Sequence, residues 1–183
     1  MKKILAILAL ASFGTAFAAD YVSVDVDSVT GAKGQSDSTA QYVRAGKGFG
    51  DYQLAIQSRT ANVKGGGLLN STEVTGANNK IAVAGITPFV GVGHDNGFNG
   101  AANSAYTYGL VGATTGIKAG PGFLLAGVKT RVGTDERVRT KQTVAFATYS
   151  IPVAKNVSVN LNASKSYQDI RENALGLGLG FSF

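Results

Sequence analysis

The chain has 183 residues, no cysteine, no tryptophan, 25 glycines and a net charge of +6, two units of which belong to Lys2 and Lys3. Its length suits one domain. The missing cysteines exclude a disulfide framework, and a mild charge with no basic-aromatic motif excludes a nucleic-acid partner.

Residues 1–18, MKKILAILALASFGTAFA, read as a secretory signal peptide. Lys2 and Lys3 form the positive region, an apolar run begins at Ile4, and Ala16-Phe17-Ala18 fits the small-x-small cleavage rule. Cleavage after Ala18 leaves residues 19–183 as a single domain. The apolar run is short for a spanning helix, which needs about 20 residues. Nothing later in the chain reads as a transmembrane helix. The other way to span a bilayer is a closed β-barrel, in which every backbone group finds a partner within the protein.

From residue 20 onward, alternating segments are separated by polar or Gly-rich breaks. Asp20 to Thr30 sets Val22, Val24 and Val26 against Ser23, Asp25 and Asp27. Thr39 to Gly46 is the second predicted strand. Tyr52 to Thr60 is the third, with Tyr52, Leu54 and Ile56 against Gln53, Gln57 and Arg59. A polar stretch from about Asn62 to Asn78 reads as a long loop. Asn79 to Gly85 and Phe89 to His94 follow as the fourth and fifth strands, and DNGFNGAANS as a loop. Ala105 to Ile117, Phe123 to Val132, Val138 to Ile151 and Val157 to Gln168 are the next four, and the final strand follows DIRE.

That makes ten strands; an eight-stranded count, with residues 79–94 contributing differently, is the alternative. An even number returns the C-terminus to the side of the N-terminus. Segments of this length match the 9–11 residues that cross a bilayer at a tilt. A charge on a lipid-facing strand position costs about 2–4 kcal/mol at mid-depth. Asp25, Asp27, Arg44, Arg59, Lys129, Arg131, Arg139 and Lys141 are therefore expected to line the lumen. Bases outnumber acids in that set. The lumen should then favour anions, or be sealed if the charges pair.

The segment ALGLGLGFSF, residues 174–183, alternates without a break. Leu175, Leu177, Leu179, Phe181 and Phe183 resemble, position by position, the C-terminal signature of bacterial outer-membrane β-barrels. A second stretch, TPFVGVGHDNG at 87–97, is similar to a strand of the small opacity-type barrels. The resemblance implies an all-β, closed antiparallel transmembrane barrel in the bacterial outer membrane. It also implies outer-membrane lipid and lipopolysaccharide as surroundings, and a barrel assembly machinery that reads those five alternating residues as a signal.

Residues for chemistry are sparse. The one histidine, His94, adjoins Asp95, but neighbours on a strand point to opposite faces, so they form no dyad. DNGFNG has Gly97 and Tyr106 where a calcium loop needs ligands. GKGFG precedes a strand rather than a helix, which fails the phosphate-loop pattern. No catalytic set, metal site or cofactor is expected. The reading is a non-enzymatic barrel with a structural, surface-interaction or small-pore role. The alternatives are an outer-membrane enzyme acting on lipid A or peptides, and a soluble periplasmic lipocalin-like binder.

Overall fold

A computed structural model describes residues 20–31, 36–100, 105–134 and 141–183; the expected signal peptide lies outside them. The strands are β1 (Tyr21–Gly31), β2 (Ser38–Phe49), β3 (Tyr52–Val63), β4 (Leu68–Asn78), β5 (Ile86–Phe98), β6 (Tyr106–Ala119), β7 (Gly122–Gly133), β8 (Lys141–Ala154), β9 (Val157–Gln168) and β10 (Glu172–Ser182). Each pairs antiparallel with the next, and β10 pairs with β1 to close the barrel.

The count is ten, not eight, but two strands lie elsewhere than expected. The polar stretch expected as a loop supplies β4. The segment expected as the fourth strand is instead a 3₁₀ turn, Asn79–Ile81, and a tight turn with Ala84 and Gly85 at positive φ. Both faces of β4 are poor in apolar residues, so its alternation carries almost no hydrophobic contrast. The fifth strand is longer than expected. It takes in Thr87 and Pro88 at one end and the DNGF segment at the other.

Two-residue turns join β2 to β3, β6 to β7 and β8 to β9 at the end of the barrel that holds Asp20 and Phe183. Gly50 and Asn156 take positive φ in two of them, as tight hairpin turns require. At the same rim Lys47 Nζ lies 2.5 Å from Asp20 Oδ2, and Lys80 Nζ 2.7 Å from Asp51 Oδ2.

Along each strand, alternate side chains face out and in. The outward set is apolar through the terminal half of the barrel: Val24 and Val26 on β1, Leu54 and Ile56 on β3, Val90 and Val92 on β5, Leu175, Leu177 and Leu179 on β10. Leu175 is 70% exposed and Val90 62%. The buried inward set includes Ser23, Asp25, Asp27, Glu73, Gln142, Asn160 and Asn162. A soluble barrel would have the opposite arrangement, and the belt seen here suits a lipid solvent.

The β1–β10 seam shows why the last strand alternates Leu with Gly. Val24 pairs with Leu179 and Val26 with Leu177, which continues the outer belt. On the inner face Asp25 lies opposite Gly178 and Asp27 opposite Gly176. A Cβ on Gly178 would sit 2.0 Å from Asp25 Oδ1 and 2.7 Å from the Val24 carbonyl; one on Gly176 would sit 1.9 Å from Asp27 Oδ1. The glycines are the space that the two carboxylates occupy. The lumen side of β10 is therefore not a tolerant face: Arg at Gly178 would be no milder than Arg at Leu179. Gly178→Ala should lower unfolding stability in detergent by about 1–3 kcal/mol, the usual cost of overpacking. Gly109→Ala, where a Cβ meets nothing within 4 Å, should be neutral or slightly stabilising. Denaturant titration followed by heat-shifted gel migration distinguishes them, and equal stability of the two variants would contradict the seam geometry.

Candidate functional site

The inward polar residues assemble two buried acid sites. Asp25, 1% exposed, is ion-paired to Arg44 on the neighbouring strand. Ser23 Oγ donates to its Oδ2 at 2.8 Å, and Asn162 Nδ2 donates to its Oδ1 at 2.9 Å. Arg44 Nε also donates to Gln57 Oε1 at 2.9 Å. The site thus joins β9, β1, β2 and β3. Each donor replaces a hydration contact that the buried carboxylate has lost.

Glu73 is the second site. Lys129 Nζ lies 2.5 Å from its Oε2, and Arg131 is ion-paired to it as well. The Tyr108 hydroxyl donates to Oε1 at 3.0 Å. Arg131 NH1 also donates to Gln142 Oε1 at 2.6 Å, and its guanidinium stands 5.5 Å from the Tyr108 ring centroid. Glu73 is on β4 and its two bases are on β7, so these side chains span the lumen between non-adjacent strands. A third contact does the same: Arg59 NH2 on β3 is 3.6 Å from Glu172 Oε2 on β10. Beside it Val29, Ala40, Ala61 and Ala174 form a small buried apolar cluster, with Tyr42 and Leu69 against it.

Of the residues expected in the lumen, Asp25, Asp27, Arg44, Arg59, Lys129 and Arg131 point inward. Asp27 is 4% exposed, and its Oδ1 has no hydrogen-bond partner among the described residues. Arg139 lies outside the described residues. Lys141 is a correction: it is exposed on the outer face opposite Val132. Period-two alternation gives the inward position to its neighbour Gln142, which is 5% exposed. The predicted excess of base is also corrected. Glu73, Asp95 and Glu172 also lie on the inward face, so Arg44, Arg59, Lys129 and Arg131 are not an unmatched excess of base. Glu73 was hidden in a segment read as loop, and Glu172 lies at the start of β10, in the DIRE break before the final strand.

His94 is exposed at the outer face, with Nδ1 3.0 Å from Thr107 Oγ1. Asp95 on the opposite face binds the Gly97 amide at 2.9 Å. Among the described residues no three His, Asp or Glu side chains converge as a metal site. No helix there is long and apolar enough to cross a membrane.

No family model and no curated protein sequence matches the chain. The translocator domain of the autotransporter NalP from Neisseria meningitidis superposes with a TM-score of 0.50 at 10% identity, over 100% of this chain and 94% of that one. The fold is that of an outer-membrane β-barrel. Neisserial surface protein A superposes at TM-score 0.46 and 14% identity, over 90% of this chain and 97% of its own. The KdgM porin, solved with a disordered oligogalacturonate, gives 0.49 and 7%, over 89% and 99%.

Removing one partner of a buried ion pair leaves an uncompensated charge, typically about 3–5 kcal/mol. Glu73→Gln should therefore destabilise the folded barrel by about that amount in denaturant titration. Replacing Lys129 by Met in the same chain should recover part of the loss. A Glu73→Gln variant as stable as the parent would show that the cluster contributes nothing.

Proposed function

We propose that the chain is an integral barrel of the bacterial outer membrane whose lumen is sealed by ion pairs, and that its role is structural or surface-presenting rather than enzymatic. The observation that carries this reading is the inverted distribution of polarity. An apolar belt faces out, while buried charges inside the barrel are bonded to one another across the lumen. A selective conducting ring presents charge of one sign to an open path. Here acids and bases share the same interior, and Arg131, Lys129 and Arg59 reach their partners across it. The belt would contact membrane lipid and lipopolysaccharide. Leu175, Leu177, Leu179, Phe181 and Phe183 would serve as the recognition strand for the barrel assembly machinery.

Purified protein reconstituted in planar bilayers should insert without steady conductance. Truncating the cross-lumen side chains in a Glu73→Ala, Lys129→Ala, Arg131→Ala variant should raise open-state events above the parent. A steady current through the parent barrel would overturn the sealed-lumen reading, and cation selectivity would do so as well.

The orientation has its own test. The wide-loop end should face outward and the tight-turn end should face the periplasm. A cysteine at Lys64 should react with an impermeant label on intact cells, and one at Lys155 should not. The reverse pattern would invert the topology.

A further inference from the structure

We propose that the β4–β5 connection, residues 79–85 together with Ile86, is an aliphatic anchor that seats in the lipid leaflet at the tight-turn end of the barrel. This inference rests on the membrane reading above and adds to the lipid-facing belt a segment outside the regular sheet. Residues 81–86 read IAVAGI, without a polar side chain, and every one of them is exposed. Ile81 is 57% exposed, Val83 74% and Ile86 50%. An uninterrupted exposed apolar run is costly in water and marks a surface that meets another apolar phase.

The segment is fastened to the barrel. The Asn79 amide donates to the Asp51 carbonyl of the β2–β3 turn at 2.8 Å, and the Lys80 amide to Asn78 Oδ1 at 2.9 Å. Lys80 is the one charged residue of the connection, and its ion pair with Asp51 compensates it. Val83 and Ile86 then exchange both backbone hydrogen bonds, each at 3.0 Å. Between them Ala84 and Gly85 take φ of 52° and 78°, as the primed turn of a tight hairpin requires. A left-handed alanine is an uncommon cost. What it secures is two aliphatic side chains side by side, because residues paired in this way share a face. Ile86 lies opposite Thr115 on the outer face of β6, so Val83 faces outward too. The hydrogen bonds between the pair also remove two amides and two carbonyls from the surface that meets lipid.

Two observations favour lipid as the occupant. The first is continuity: Ile86 stands at the foot of the outward column of β5 that carries Val90 and Val92, 62% and 61% exposed. The second is a gap in the aromatic rim. Phe49, Tyr52 and Phe183 supply outward aromatics elsewhere at this end. The outward positions of β4 to β6 there hold Gly76, Asn78, Pro88 and Thr115, and Phe89 is turned inward over Gly112. The hairpin tip stands in the sector that has no outward aromatic. Three aliphatic side chains cover far less than the about 1,200 Å² that a stable protein interface buries. They suit insertion to about 5–10 Å at the boundary of headgroups and acyl chains.

The chain has no tryptophan, so Val83→Trp gives the full barrel a single fluorophore at the tip. Lys155→Trp, in the β8–β9 turn at the same end, is the reference. Both are reconstituted in phospholipid vesicles, with quenching by lipids brominated in the upper acyl chain and by aqueous iodide. The Val83→Trp barrel should emit at shorter wavelength and lose most of its emission to the brominated lipid and little to iodide. The Lys155→Trp barrel should show the reverse. Ile81→Trp is the second reporter, with the same expected result, if Val83→Trp loses the heat-shifted migration of a folded barrel. Quenching of the tip by iodide alone would place it in water and overturn the anchor. Equal lipid quenching of tip and reference would overturn it as well, since the rim as a whole would then be immersed. Shielding from both quenchers that fades as protein is diluted in lipid would make a second copy the occupant and overturn the lipid assignment. A parent that fails to float with vesicles would defeat the membrane reading itself, an outcome separate from these.

Discussion

In hydrocarbon an unpaired backbone N–H or C=O costs several kcal/mol, and a sheet can avoid that cost only by having no edge. The pairing of β10 with β1 is therefore the contact on which the remaining structure depends. Closure imposes a strict two-residue period, because a slip of one residue would turn every side chain to the wrong medium. At the seam this constraint is doubled. Val22, Val24 and Val26 must meet Phe181, Leu179 and Leu177 on the outside, while Asp25 and Asp27 must fit over Gly178 and Gly176 on the inside. A one-residue slip would drive both carboxylates into lipid and set leucines in the lumen.

The inside of such a barrel has too little room for free hydrated charge. Its acids and bases pair with one another, Asp25 with Arg44 between neighbouring strands and the others between strands that are not neighbours. Lys129 and Arg131 cross from β7 to Glu73 on β4; Arg59 crosses from β3 to Glu172 on β10. Bridging side chains of this kind fill the lumen as well as neutralise it. The buried Val29, Ala40, Ala61 and Ala174 cluster removes further space beside Arg59. Charge balance and occlusion would be two consequences of the same contacts, and these contacts are the support for the proposed sealed interior.

How much of this was legible in the sequence depended on contrast between the two faces of each strand. β10 and β9 were plain, because Leu against Gly and Leu against Asn are large differences. β4 was invisible: its outward Asn70 and Thr72 are as polar as its inward Ser71 and Glu73, and only Val74, with Leu68 at the strand's start, marks the outer side. Missing β4 also removed Glu73 from the charge inventory, so two bases on β7 looked unmatched. Period two sets Lys141 on one face with Arg139, and the cost of an outward charge assigns that face to the lumen. At the rim of a strand that cost falls to about 0–1 kcal/mol, and Gln142 held the inward position. Contacts across the lumen carry no signal in one sequence, since residues 73 and 131 share no local pattern.

The two ends of the barrel differ in a way that bears on what it presents. Phe49, Tyr52 and Phe183 are all more than half exposed at the tight-turn end, where aromatic side chains suit a lipid–water boundary. Toward the wide-loop end the outer face becomes polar while the strands are still paired. There the polar side chains bond across adjacent strands: Thr60 to Asn70 at 2.8 Å, His94 to Thr107 at 3.0 Å, Thr130 to Thr143 at 3.0 Å. Paired in this way, they lose less on approaching the headgroup layer than isolated groups would. The apolar belt is thus set toward the tight-turn end, and the ordered sheet continues past it. A barrel seated by that belt would hold the paired ends of its strands at the wide-loop side clear of the hydrocarbon. On the proposed reading, with the lumen closed, that side is the surface the barrel would present.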